Sequence, residues 1–255
     1  MTFRLGLAKD YDCNVIIGLV EEAAAWLRNK DTDQWSKPWP SRAARDARIL
    51  ADIRAGRTWI VRDGDSPAAT ITSKEAADQA LAGAWVGDEP AAYVRRLVVA
   101  RPYGGCGLGS GLLNWAGQYA ARGYGARWIR IDVWKTNKAL HKYYADQGFE
   151  FVSYCRDPEY PSGALFQKAT SQILAARSVL GDKSASVCSA ITGSSKLTGV
   201  GLLTDYRASS PGGCVEWSPP GAAGAGHLDA PALVRWVAEP VCQAGLELGE
   251  AVQAF

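Results

Sequence analysis

No apolar run in this chain approaches the ~20 residues that cross a bilayer, and the opening Met1-Thr2-Phe3-Arg4 lacks the core of a signal peptide. These absences predict a cytoplasmic protein with no membrane partner. Charge of one sign is also scarce. The formal net charge is +2, too small to argue for a nucleic-acid partner. The six cysteines (Cys13, Cys106, Cys155, Cys188, Cys214, Cys242) include no Cys-x-x-Cys pair. That scatter predicts reduced thiols and no metal site. What remains is ordinary for a globular protein: 255 residues, 47% hydrophobic and 21% charged, enough for one ample core or two small domains.

The informative stretch runs from Tyr93 to Phe149. An apolar strand, Tyr93 to Val99, leads into Arg101-Pro102-Tyr103-Gly104-Gly105-Cys106-Gly107-Leu108-Gly109-Ser110-Gly111, and a helix begins near Leu108. Four glycines between Gly104 and Gly109 let successive backbone N–H groups approach an anion closely. The helix behind them adds unpaired N–H groups and the positive end of its dipole. Strand, glycine turn and helix start therefore predict a phosphate cradle rather than an ordinary surface loop. A Walker loop is excluded, because Gly109 is followed by Ser110-Gly111 instead of Lys-Ser/Thr. A dinucleotide fingerprint fits in part: Gly107-Leu108-Gly109 opens a helix, and Asp132 ends the next strand. Against it, five residues from Ala100 to Gly104 separate the strand from Gly105, and the segment lies mid-chain. Cys106 reads as a small residue tolerated by a tight loop rather than a nucleophile.

The segment resembles the coenzyme A site of the GNAT superfamily of N-acetyltransferases. That superfamily carries Gln/Arg-x-x-Gly-x-Gly/Ala between its fourth strand and the following helix. Gly107 and Gly109 match the second and third fixed positions, whereas Gly104 stands where Gln or Arg is usual. The downstream pattern Asn-x-x-Ala-x-x-Leu-Tyr-x-x-x-Gly-Phe aligns Asn137, Tyr144, Gly148 and Phe149, with Leu140 and Tyr143 departing. The resemblance covers about residues 2–168. It implies an α/β fold with a mixed, mostly antiparallel sheet flanked by helices.

The remaining sequence fits that order. Phe3 to Leu7 alternates as a strand. Asp10 caps a helix with an apolar face from Val15 to Leu27. Ser41 caps a second helix, Arg42 to Ala55, which Gly56 stops. Thr58 to Arg62 and Ala68 to Thr72 form a hairpin around Asp63-Gly64-Asp65. Strands at Trp128 to Trp134, Glu150 to Tyr154 and Ala164 to Gln167 and a helix at Asn137 to Gln147 complete residues 1–168, read as the acetyltransferase domain. Residues 169–255 are rich in Ser, Gly, Ala and Pro and read as a poorly ordered extension or a small docking module. Helical spacing at Leu233, Val237, Val241 and Leu248 predicts a helix near 231–252, interrupted by Pro240.

The resemblance implies direct transfer from acetyl-CoA to an amine of a small molecule or a protein. Coenzyme A would lie against Leu97, Val98 and Val99, over Gly104, Gly105, Cys106, Gly107, Leu108, Gly109 and Ser110, and near Asn137 and Tyr144. The amide of Val98 or Val99 would polarise the thioester carbonyl. Tyr144 would donate a proton to the departing sulfur, with Tyr143 as the competitor on a rotated helix. Asp132 is the candidate general base, and pairing with Arg130 or Arg96 is its structural alternative. Trp35 and Trp39, with Asp31 and Asp33, are candidates for acceptor contacts; the tryptophans equally fit as plugs of the helix pair. His141 reads as solvent-facing. The sequence is compatible with a homodimer. Two rivals remain at this point: an NAD(P)-binding oxidoreductase and a non-catalytic acyl-CoA-binding sensor.

Overall fold

The computed structural model describes residues 2–175, apart from Trp39 and Ala82, together with 234–237 and 253–254. Strands β1 (Thr2–Leu7), β2 (Thr58–Asp63), β3 (Ser66–Lys74), β4 (Ala91–Val99), β5 (Trp128–Val133), β6 (Glu150–Tyr154) and β7 (Ala164–Ala169) make one sheet in the order β6-β7-β5-β4-β3-β2-β1. Only β4 and β5 run parallel; the other pairs are antiparallel. The sheet is thus mixed and mostly antiparallel, as the sequence predicted.

Helices cover both faces. On one lie α1 (Cys13–Leu27) and α2 (Arg42–Arg54), on the other α3 (Leu108–Tyr124) and α4 (Lys138–Asp146). The end of β4 shows the alternation that separates them. Leu97 and Val99 join Leu112, Leu113 and Ala116 of α3, whereas Val98 joins Leu19, Val20 and Ala23 of α1. Local chemistry sets the helix ends. Ser41 Oγ accepts from the amide of Ala44 at 3.2 Å to start α2, and Gly56 follows its end at φ +66°. α3 runs between Gly107 and Gly125, both at φ +70°.

Residues 170–175 continue the fold as a helical segment. Ile173 is buried in the α3 core, where a Cβ on Gly117 would collide with it, and Thr170 Oγ1 donates to the carbonyl of Ala126 at 2.8 Å.

Two expectations need correction. Within the predicted helix near 231–252, Val234–Val237 is a strand, β8, paired antiparallel with Thr2–Leu5; residues 238–252 lie outside those described. β-branched and aromatic residues favour a strand there, Pro240 opposes a continuing helix, and the open edge of β1 offers a partner. Cys106, expected as a reduced thiol, is disulfide-bonded, whereas Cys13 and Cys155 are free. Scattered cysteines without a Cys-x-x-Cys pair do not reveal by their spacing which of them are oxidised.

Candidate active site

The candidate site lies where β4 and β5 part. Their register runs only from Ala91↔Trp128 to Val94↔Ile131. Past that point β4 carries a bulge. Val98 faces Thr70 and Arg95 faces Thr72, so Arg96 and Leu97 together oppose Ile71. Arg96 adopts φ +46°, a left-handed conformation unusual for a residue with a side chain. Asp52 of α2, in contact with Arg96 Nη2, and Thr72 Oγ1, 3.4 Å from its Nε, hold it there. Beyond the split, the backbone of Leu97 and Val98 pairs with β9 (Gln253–Ala254) instead of β5.

Below the gap lies the glycine loop. A 3-10 turn at Arg101–Tyr103 leads through Gly104 and Gly105 (φ +76°) to Cys106 and Gly107. The first bond inside α3 runs from the Gly111 amide to the Gly107 carbonyl at 3.0 Å. The amides of Leu108, Gly109 and Ser110 precede it and have no helical partner. No side chain caps this end either, because Ser110 Oγ donates to the Gly107 carbonyl at 2.8 Å. The result is a concave turn of backbone N–H groups at a helix start, suited to a phosphate.

Tyr144 sits on α4, fully buried among Phe149, Phe166 and Tyr143. Its hydroxyl has no hydrogen-bond partner among the described residues. Burial first, then Tyr143 and Asp132, push its pKa well above the usual phenol value, so the group keeps its proton. Tyr143 is only partly buried against the same core.

Asp132, at the end of β5, is 4% exposed. Its Oδ2 accepts from Tyr160 Oη at 2.9 Å, and Arg95 Nε lies 4.0 Å from Oδ1. Arg95 Nη2 also donates to Tyr160 Oη at 3.2 Å. The ionic partner of Asp132 is therefore Arg95, neither Arg130 nor Arg96. Arg130 turns to Tyr93 Oη and the Val86 carbonyl instead. Burial raises the Asp132 pKa against the opposing pull of Arg95 and Tyr160.

Asn137 caps α4 by accepting from the Leu140 amide at 2.9 Å, and its Nδ2 donates to Gln34 Oε1 at 2.6 Å. Asp33 accepts from Trp134 Nε1 at 2.7 Å and from Thr136 Oγ1. The loop between α1 and α2 is thus tied to the start of α4. Trp35 lies in that loop at φ +58°, packed with Val98, Ala100 and Trp134, and it also lines a pocket. Trp39 is outside the described residues, and Asp31 is exposed. His141 differs from expectation: half-buried, it donates Nε2–H to the Trp134 carbonyl at 2.8 Å and packs on Phe166. Its i−7 partner closes the turn before α4, which draws the ring away from solvent.

Tyr160, Arg95 and Gln34 escaped the sequence reading. Tyr160 lies in the loop between β6 and β7, 28 residues from Asp132, and its only local signal was the flanking Pro158 and Pro161.

Parted strands, a turn of free backbone N–H groups at a helix start and a buried tyrosine make up the candidate site. Residues 24–149 match the Acetyltransferase (GNAT) family. The chain is 31% identical over 143 residues to the uncharacterized N-acetyltransferase YesJ of Bacillus subtilis (strain 168), covering 55% of this chain and 78% of YesJ. Among solved structures it resembles the PaiA N-acetyltransferase of Thermoplasma acidophilum in complex with coenzyme A, with a TM-score of 0.52 at 16% identity over 66% of this chain and 99% of that one. A GNAT-family acetyltransferase from Streptococcus agalactiae 2603 gives 0.51 at 20% identity over 66% and 95%. The protein belongs to the GNAT family and is an N-acetyltransferase. Among the described residues no helix is long and apolar enough to cross a membrane.

Proposed function

We propose that this enzyme transfers the acetyl group of acetyl-CoA directly to an amine of a small molecule or a protein. The observation that carries the reading is the Tyr144 hydroxyl, buried, protonated and without a hydrogen-bond partner among the described residues. A buried polar group left unpaired costs about 1–3 kcal/mol, and a ligand sulfur in the cleft would supply the missing partner. Acetyl-CoA would bring the thioester that activates the acyl group. The amides of Leu108, Gly109 and Ser110, with the turn from Gly104 to Gly107, would hold its pyrophosphate. The backbone of Leu97 to Val99 would pair with its extended arm. Pairing of Leu97 and Val98 with β9 supports this, since it demonstrates an edge open to an extended segment.

In the reaction, the amine nitrogen bonds to the carbonyl carbon and the C–S bond breaks. The amide of Val98 or Val99 stabilises the carbonyl oxygen. Tyr160 takes the proton from the nitrogen as its own passes to Asp132, so Asp132 is the base and Tyr160 its relay. Tyr144 protonates the departing thiolate. No covalent enzyme intermediate is needed once acceptor and thioester are held together. The loop between α1 and α2, with Trp35, would form one wall of the acceptor site.

Calorimetric titration with acetyl-CoA and with NAD(H), followed by thiol release over an amine panel, tests the reading. Binding of acetyl-CoA and turnover are expected. Preference for NAD(H) would point to an oxidoreductase; acetyl-CoA binding without turnover on any amine would point to a sensor.

A further inference from the structure

The pocket beside Trp35 has a one-sided wall. It is lined by Val20, Trp35, Pro38 and Ile49 and by five cationic side chains, Lys37, Arg45, Arg48, Arg95 and Arg96. No carboxylate is among the described residues that line it. The acids lie behind the wall, each on a guanidinium. Asp52 contacts Arg96, Asp78 contacts Arg95, and Glu21 lies 3.1 Å from Arg45. They orient the cations without reaching the ligand space.

The β4 bulge is what brings two of these cations together. In a regular strand Arg95 and Arg96 would point to opposite faces. With Arg96 in the left-handed region both line the same pocket. A non-glycine residue is seldom held this way, and both arginines are more than nine-tenths buried. Burial lowers the pKa of Arg96 to about 10, against the pull of Asp52. Arg48, half-buried on α2, feels the charge of Arg95 as well as its own burial.

A plain amine presents the wrong charge here. An alkyl ammonium with an ordinary pKa of ~10.4 is cationic at neutral pH. It meets only cationic and apolar side chains on the described lining. Although carboxylates behind Arg45, Arg95 and Arg96 offset part of that charge, the contact is repulsive. An oxyanion on the same molecule reverses the balance, and guanidinium forks match carboxylate and phosphate oxygens. The positive field would then lower the pKa of the ammonium and help it reach the neutral, nucleophilic form.

We propose that the acceptor is a small amine that carries its own compact oxyanion, a carboxylate or phosphate, held by the cationic wall of α2 and β4. This rests on the reading of the chain as an amine acetyltransferase. The test pairs each acid with a neutral counterpart on the full chain: β-alanine against β-alaninamide, and phosphoethanolamine against ethanolamine. Binding is measured by calorimetry with coenzyme A present, and turnover by thiol release from acetyl-CoA. At least one acid should exceed its neutral partner about tenfold in kcat/KM and in affinity, and the winning pair distinguishes carboxylate from phosphate. Arg48→Gln should erase that preference while sparing acetyl-CoA affinity, and Arg48→Lys should restore part of it. Should Arg48→Gln not fold, Lys37→Gln at the exposed rim should weaken the acid in the same sense. An acid that binds but is not acetylated, while another amine is turned over, overturns the inference and keeps the transfer reading; no turnover on any amine removes the proposed transfer and the inference with it. Turnover with the neutral partners equal or better removes the inference and keeps the enzyme. Failure of both acids to bind at millimolar concentration overturns it.

Discussion

Tyr160 donates its hydroxyl to Asp132 Oδ2 at 2.9 Å, and Arg95 Nη2 donates to the same Tyr160 oxygen at 3.2 Å. If the proposed mechanism holds, the carboxylate acts on the acceptor through this phenol. Asp132→Asn and Tyr160→Phe should each lower kcat by at least about a hundredfold, the lower end for acid–base catalysis. The double variant should fall little further, because a relay acts as a unit. Both should also remove the acidic limb of the pH–rate profile. Full activity in Tyr160→Phe with that limb intact would show that Asp132 does not act through it.

Tyr144 makes a different prediction. Its hydroxyl has no partner to lose among the described residues, so Tyr144→Phe should leave thermal stability unchanged or slightly raised. The same variant should reduce kcat on the order of ten- to a thousand-fold with little change in acetyl-CoA affinity. Calorimetry, melting curves and thiol release measure the three quantities. A large kcat loss in Tyr143→Phe alongside full activity in Tyr144→Phe would assign the acid to the neighbouring ring.

What was legible in the sequence was what neighbours in the chain decide. Ser41 and Gly56 bound α2 and Gly107 opens α3, because capping acts over three or four residues. The mixed, mostly antiparallel sheet flanked by helices followed from the family resemblance. The polar network did not. Asp33 meets Trp134 across 101 positions and Gln34 meets Asn137 across 103, separations at which no local spacing constrains a pair. The Arg96 bulge was equally hidden, since Tyr93 to Val99 reads as an unbroken strand and the residue that leaves it is neither glycine nor asparagine. His141 looked exposed because helical periodicity cannot show that the turn at Trp134 folds back over the ring. In 231–252 the period favoured a helix, while the free edge of β1 selected a strand.

β9 pairs with the β4 backbone at Leu97 and Val98, where the arm of acetyl-CoA is expected to lie. The two would compete. Removing residues 252–255 should therefore tighten acetyl-CoA binding about tenfold, as expected from one or two displaced backbone hydrogen bonds at about 0.5–1.5 kcal/mol each. Calorimetry on the full and shortened chains, both under reducing conditions so that the Cys106 disulfide does not contribute, reads the effect. Equal affinities would show that β9 and acetyl-CoA use different parts of the edge.

His141 links the start of α4 to pH. Its Nε2–H donates to the Trp134 carbonyl, and burial lowers its pKa below the ordinary value despite that bond. The unfolded chain then binds a proton that the folded chain resists. Stability from this group is complete above the unfolded value of ~6.5 and is lost as pH falls through the lower folded value. Urea midpoints measured from about pH 5 to 8 should fall more steeply on acidification in the wild type than in His141→Gln, which can keep a donor but cannot titrate. The difference between the two curves isolates histidine from the carboxylates that titrate nearby. The variant should be less stable than the wild type at pH 8, through lost packing on Phe166, and the gap should narrow at pH 5. Parallel curves over the whole range would mean that the ring accepts a proton as easily in the fold as outside it.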